Sequence, residues 1–287
     1  MEINQIYKKI KDQINKYFRF FTCQIRMLPD FIIIGAMKCG TSSLYNYLTS
    51  HPYIGKARKK ETHFFDLQFN KGLNWYRSFF PLLARKAFTK IFLRHNFITG
   101  EATPMYILHP HAPRRIYSLL PNVKLIILLR NPVDRAYSHY NKYKRHLIKL
   151  GKNYLSYEEY MINSIKKLNQ GLFNFREDTK YENSFLSKES VFARGIYVNQ
   201  IKRWHKYFPK EQILILKSED LFNNSRKTLE KVFRFLTLPN WELNEYKKFG
   251  KVGYPEMDLK MKEKLYNLYK PYNQQLFQYL GLNFNWE

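Results

Sequence analysis

Apolar positions along the chain alternate between short unbroken runs and stripes of helical spacing, a pattern that predicts repeated strand–helix units. Phe31 to Ile34 is an all-apolar run ending at Gly35, and a helical pattern from Thr41 to Leu48 follows and stops before His51 and Pro52. Phe97 to Glu101 reads as a weaker strand, with a helix from His111 to Leu120 behind it. Val123 to Leu129 has the strongest strand pattern and the continuous apolar character of a parallel strand buried on both faces. Asn131 then caps a helix that carries Pro132 in its first turn and runs to about Leu147.

Farther on, the spacing predicts a helix over Glu158 to Leu168, a helix over Gly195 to Tyr207, a strand over Ile213 to Leu216, and helices over Ser225 to Leu236 and Leu259 to Leu280. Residues 151–190 are polar and rich in Lys, Asn and Tyr, and read as a mobile flap around one helix. No repeat and no Pro/Gly/Ser linker divides the chain. The expectation is one α/β domain over 29–287, with a central parallel sheet flanked by helices on both faces in a P-loop-like, doubly wound arrangement. Residues 1–28 form a basic amphipathic segment, read as a helix docked on the domain, with a peripheral membrane contact as the alternative.

Composition narrows the function without choosing it. The 287 residues include 49 Lys and Arg against 23 Asp and Glu, a formal charge of +26 that suits an anionic partner but also fits a surface of solvated lysines. The apolar and aromatic content excludes a disordered chain. Two cysteines, Cys23 and Cys39, make neither a disulfide framework nor a zinc site, and they point to a reducing cytoplasm. No stretch is long and apolar enough to span a membrane.

Three motifs carry chemistry. In the first, Gly35 to Ser43, a loop between strand and helix holds Lys38, Cys39, Gly40, Thr41, Ser42 and Ser43. Such a loop aims backbone N–H groups and a helix N-terminus at one point, and Lys38 adds a mobile cation. It departs from the nucleotide triphosphatase pattern because Lys38 precedes Gly40 instead of following it. In the second, Arg130 stands at the end of the strongest strand with Ser138 two turns into the next helix. Ligands of doubly wound sheets bind beyond the strand C-termini, so Arg130 and the Lys38 loop should border one crevice, with Arg130 and Ser138 clamping a second phosphate. That strand does not end in an Asp that could hold Mg²⁺, as ATP- and GTP-using P-loop enzymes require. The third motif, Lys60 to Asp66, places Glu61 and His63 two residues apart, on the same side of an extended segment, where either accepts a proton.

These motifs, in this order, resemble the sulfotransferases that use 3′-phosphoadenosine 5′-phosphosulfate (PAPS), the heparan sulfate N- and 3-O-sulfotransferase branch most of all. The resemblance runs from about Phe31 to the C-terminus and includes Gly100 to Pro104, Gly195 to Pro209 and a late loop from Gly250 to Asp258. It implies sulfuryl transfer from PAPS to a hydroxyl or amine of a glycan or small metabolite by direct in-line displacement, without a metal. Lys38 to Ser43 would take the 5′-phosphosulfate, and Arg130 with Ser138 the 3′-phosphate. Lys251, Gly253 and Tyr254 would close over the cofactor, with Lys247 and Lys248 as further cations. Glu61 would be the base and Lys38 would act on the leaving group, while His63 orients the acceptor or Glu61. Residues 151–190 have no counterpart in the resemblance, and their polar composition alone makes them the candidate acceptor flap. A small-molecule P-loop kinase and a basic polyanion-binding module are the competing readings, and the chain carries no aromatic RNA-binding signature.

Overall fold

The computed structural model describes residues 7, 13–15, 17–170, 190–250 and 253–286. Five strands form one wholly parallel sheet: β1 (Phe31–Gly35), β2 (Ile54–Lys56), β3 (Ile98–Ala102), β4 (Lys124–Leu129) and β5 (Ile213–Lys217). Their order is β2-β3-β1-β4-β5, with helices on both faces. β1 is buried along its whole length and β4 along all but its first residue, as their unbroken apolar runs require. The chain steps from β1 outward to β2 and β3 and then crosses to β4 on the other side of β1. The crevice of this fold therefore opens beyond the C-terminal ends of β1 and β4.

The helices are α1 (Thr41–Leu48), α2 (Phe64–Leu67), α3 (Gly72–Arg77), α4 (Leu83–Phe92), α5 (Ala112–Leu119), α6 (Pro132–Lys149), α7 (Tyr157–Asn169), α8 (Tyr197–Trp204), α9 (Ser218–Asn223), α10 (Ser225–Leu236) and α11 (Leu259–Leu280). α1, α10 and α11 have the bounds read from the sequence, and α7 starts on a Ser156–Glu159 capping box. The expected helix over Gly195 to Tyr207 is shorter, a 3₁₀ turn at Ala193–Gly195 leading into α8. β2, α2, α3, α4 and α9 have no counterpart in the sequence reading. None of the described helices is long and apolar enough to cross a membrane.

The N-terminal segment docks through its polar side. Arg19 donates to the carbonyls of Ser78 (2.6 Å) and Phe80 (2.9 Å), and Arg26 to that of Phe80 (2.9 Å). Its aromatics Tyr17, Phe18, Phe20 and Phe21 point outward, the reverse of a helix that buries an apolar face. Of the expected flap, residues 171–189 lie outside the described residues.

Candidate active site

The loop after β1 is shaped by two left-handed residues, Lys38 (φ 73°) and Gly40 (φ 89°), before α1 begins. Only glycine fits at position 40, because a Cβ there would also lie 2.9 Å from Cζ of Phe222 on α9. Turns of this kind gather successive N–H groups on one side, and here they end at a helix N-terminus. Burial, then Lys142, Arg145 and Arg130, hold the Lys38 ammonium down to about 8. Cys39 is fully buried, its Sγ 3.8 Å from the Tyr197 hydroxyl, and burial pushes its thiol up to about 11. It anchors the loop to α8 and is no nucleophile. Ser43 is buried and its hydroxyl accepts a hydrogen bond from the Phe249 N–H (3.0 Å), tying α1 to the residue that precedes the late loop.

Across the crevice, the Asn131 side chain caps α6 by accepting from the Val133 N–H (3.0 Å). The Arg130 carbonyl accepts from the Tyr197 hydroxyl (2.9 Å) and the Asn131 N–H donates to Glu219 (3.0 Å), so the turn after β4 is fixed from both sides. One cleft of about 740 Å³ is lined by Lys38, Gly40, Thr41, Ser42, Glu61, Arg130, Ser138, Gly253 and Tyr254, which the sequence singled out. Cys39, Ser43 and His63 are not among its lining residues, and Lys251 lies outside the described residues. The same cleft is lined by Lys142, Arg145, Glu219, Phe222 and Phe249, which the sequence reading passed over. Lys142 and Arg145 follow Ser138 by four and seven residues on α6, so helical spacing alone was a usable signal. Lys248 also lines it, whereas Lys247 pairs with Glu245 (3.0 Å).

The segment bearing Glu61 and His63 is not extended as expected. His63 adopts φ 54° at the start of α2, so the two side chains meet by a turn of the backbone. His63 Nε2 lies 3.6 Å from Glu61, and Nδ1 2.9 Å from the buried carboxylate of Asp66. Asp66 and then Glu61 raise the imidazole to about 9. Glu61 falls to about 2 through His63 and, 2.8 Å away, Lys60, against its partial burial.

Beneath this segment sits Glu101 at the end of β3, wholly buried. It accepts hydrogen bonds from the Thr62 N–H (3.3 Å) and from the hydroxyls of Thr62 (2.8 Å), Tyr76 (2.9 Å), Thr103 (2.6 Å) and Tyr106 (3.0 Å). Tyr106 in turn accepts from the Phe64 N–H (2.9 Å), which locks residues 62–64 to the sheet. Burial raises the Glu101 pKa, and the donated bonds oppose that rise. Among the described residues no group of three or more His, Cys, Asp or Glu side chains is placed to hold a metal ion.

Comparison with known proteins agrees with this geometry. Residues 28–270 match the sulfotransferase domain model. The chain is 31% identical to mouse heparan sulfate glucosamine 3-O-sulfotransferase 5, over 91% of its own length and 75% of that protein. It is 27% identical to the membrane-associated sulfotransferase kil1 of Dictyostelium discoideum, over 99% of its length and 71% of that protein. Among solved structures, the sulfotransferase of Alicyclobacillus acidocaldarius superposes with a TM-score of 0.66 at 28% identity, covering 91% of this chain and 99% of that one. A domain match across most of the length, carried by a crevice at the ends of β1 and β4, makes this chain a member of the sulfotransferase family, which transfers a sulfuryl group from PAPS to an acceptor.

Proposed function

We propose that the cleft binds PAPS with its 5′-phosphosulfate on Lys38 to Ser43 and its 3′-phosphate on Arg130 and Ser138, and that Glu61 deprotonates the acceptor. The observation that carries this reading is the surplus of positive charge: Lys38, Arg130, Lys142 and Arg145 line one cleft, where burial first and then the three other cations lower the ammonium of Lys38. A ligand with anionic groups at both ends relieves that repulsion, so the residues fit it. PAPS, when bound, supplies the sulfuryl group and a 5′-phosphate leaving group.

The chain's own residues do the rest. Lys38 and the loop N–H groups meet the charge that grows on the leaving oxygen. Glu61, on the cleft wall beside Ser42, takes the proton of the attacking hydroxyl or amine, and His63 and Lys60 hold its carboxylate in place. A carboxylate with a pKa as low as about 2 is a weak base, which suits a proton lost late, once the bond to sulfur has made the acceptor acidic. Gly253 and Tyr254 contribute to the far wall, where Tyr254 packs on Tyr137 with ring centres 5.4 Å apart.

A sugar hydroxyl is the acceptor favoured by the 3-O-sulfotransferases this chain resembles, and a small metabolite is the alternative. Two buried, unpaired thiols, Cys23 and Cys39, support a reducing, cytoplasmic setting. Incubation with radiolabelled PAPS and, separately, heparan-type oligosaccharides and an extract of the source cells tests the proposal. Label on a sugar hydroxyl is expected, label only on a small metabolite would replace the acceptor, and no labelled product from either would overturn the reading.

A further inference from the structure

Helix α4 carries its apolar stripe on the outside. Of its ten residues only Thr89 is buried. Phe88, Ile91 and Phe92 leave 55%, 69% and 68% of their surface exposed. Their three- and four-residue spacing makes one stripe, which in a packed helix would face the core. The rings of Phe88 and Phe92 pack on each other at 4.7 Å, with no core beneath them.

A second exposed apolar group lies alongside. Among helical residues 17–21, Arg19 is bonded to the Ser78 and Phe80 carbonyls in the turn that leads into α4, and Arg26 and Met27, which follow the segment, are bonded to Phe80 and Pro81 of the same turn. Phe18, Phe20 and Phe21 are left outside, Phe21 with 82% of its surface exposed.

Charge decides what such a face meets. Residues 67–100 contain six Lys and Arg and no Asp or Glu, and residues 13–29 contain no Asp or Glu either. Three of these cations are engaged in the fold, Lys71 over the Trp75 ring (5.0 Å), Arg85 over the Phe97 ring (4.7 Å) and Lys86 with Asp30 (3.2 Å). Lys90 and Arg94 are exposed beside the stripe. A second copy seated on the same patch by two-fold symmetry would bring these cations against their own equivalents. A bilayer surface with anionic headgroups accepts both the apolar side chains and the cations.

We propose that the face formed by α4 and residues 17–21 docks on an anionic lipid bilayer, inserting Phe88, Ile91, Phe92 and Phe21 and holding Lys90 and Arg94 at headgroup level. Asp30 and Phe97, which contact this helix, immediately precede β1 and β3. The face thus sits at the N-terminal end of the sheet, and the cleft at the C-terminal end. Docked in this way, the protein turns its cleft away from the lipid toward acceptors in water. The proposal does not depend on which residues bind PAPS.

Co-sedimentation of the full chain with vesicles of phosphatidylcholine, alone or mixed with phosphatidylglycerol, tests it. Binding to the mixed vesicles is expected to be at least roughly tenfold tighter than to the neutral ones and to weaken with salt. Phe88→Ser/Ile91→Ser/Phe92→Ser and Lys90→Glu/Arg94→Glu should each lose roughly tenfold or more, while keeping the wild-type melting temperature and affinity for 3′-phosphoadenosine 5′-phosphate (PAP). Vesicle-bound protein should bind PAP as the free protein does. Absence of binding, equal binding to both vesicles, or wild-type binding by both variants would overturn the proposal. So would a dimer that the triple variant abolishes while nothing sediments with vesicles.

Discussion

Ser42 and Lys60 are joined by a hydrogen bond of 2.7 Å across 18 residues of chain, and the same ammonium lies 2.8 Å from Glu61. One lysine therefore links the anion loop after β1 to the segment bearing the proposed base. Ser42 is fixed by α1 and Glu61 by the Glu101 hub, so Lys60 sets the spacing between two otherwise separate pieces of the site.

Lys60→Met should break that link without emptying either side. The Glu61 pKa, now about 2, should rise, because one of the cations lowering it is gone. Turnover is expected to fall roughly tenfold, near the lower end of what a charge-assisted hydrogen bond contributes, with a smaller change in PAP affinity. Steady-state kinetics and calorimetry on the same variant separate the two. A variant with unchanged turnover would show that the bridge only decorates the cleft.

Lys38 gives a second, independent readout. With its pKa near 8, the ammonium is about half deprotonated at pH 8, and an anion in the cleft should raise the pKa and draw a proton in. PAP binding measured by calorimetry at pH 8 in buffers of different ionisation enthalpy should show net uptake of about half a proton. Lys38→Met should abolish that uptake, and Lys38→Ala should lower turnover at least roughly a hundredfold. Uptake that persists in the Met variant would assign the proton to another group.

Arg130→Ala should remove discrimination more than it removes binding. If Arg130 and Ser138 hold a 3′-phosphate, wild type should prefer PAP over AMP, and the Ala variant should lose roughly 1.5–3 kcal/mol of affinity for PAP alone. Equal losses for both nucleotides would place Arg130 elsewhere on the ligand.

The parts legible in the sequence were those whose signals are local. α1, α10 and α11 follow from apolar periodicity, with their starts marked by Gly40 and by the side-chain caps Asn224 and Asp258, each adjoining its helix in the chain. Lys38 and Arg130 were readable for the same reason, since strand, loop and helix adjoin in the chain. β2 is three residues with little pattern to find. The spacing of Phe88, Ile91 and Phe92 in α4 was a readable helical stripe that the sequence reading passed over, and only the structure shows that it faces solvent. The Ser42–Lys60 bridge and the three donors that Thr62 and Tyr76 bring to Glu101 join residues that only the folded chain brings together. Glu101 falls in the Gly100 to Pro104 segment of the family resemblance without a stated role, and what makes it a hub is the arrival of Thr62 and Tyr76 from two other segments beside the nearby Thr103 and Tyr106.

His63 should make stability depend on alkaline pH. Its pKa is raised to about 9, chiefly by Asp66, so its pairing stabilises the fold fully below about 6.5 and is lost as the pH rises through about 9. The melting temperature should therefore drop between pH 7 and 10 by more in wild type than in His63→Gln. NMR titration of the His63 ring should show the same midpoint near 9. A midpoint near 6.5 would mean that Asp66 and Glu61 do not hold the imidazolium.

Glu61 carries the most specific expectation. His63 and Lys60 keep it ionised, so at neutral pH it is always ready to accept a proton but binds one weakly. That combination is productive only if the acceptor becomes acidic as it bonds to sulfur. Glu61→Gln keeps the side-chain shape and removes the base, so turnover should fall roughly 10²–10⁴-fold with PAP affinity nearly unchanged. The pairing predicts a further difference. Without the Glu61 carboxylate, His63 retains Asp66 as its only anionic partner of the two, and its titration midpoint should move down from about 9. The same variant then reports on chemistry through its rate and on geometry through the His63 ring. A normal rate would remove Glu61 as the base. A lost rate with an unmoved His63 midpoint would keep the base and discard the pairing.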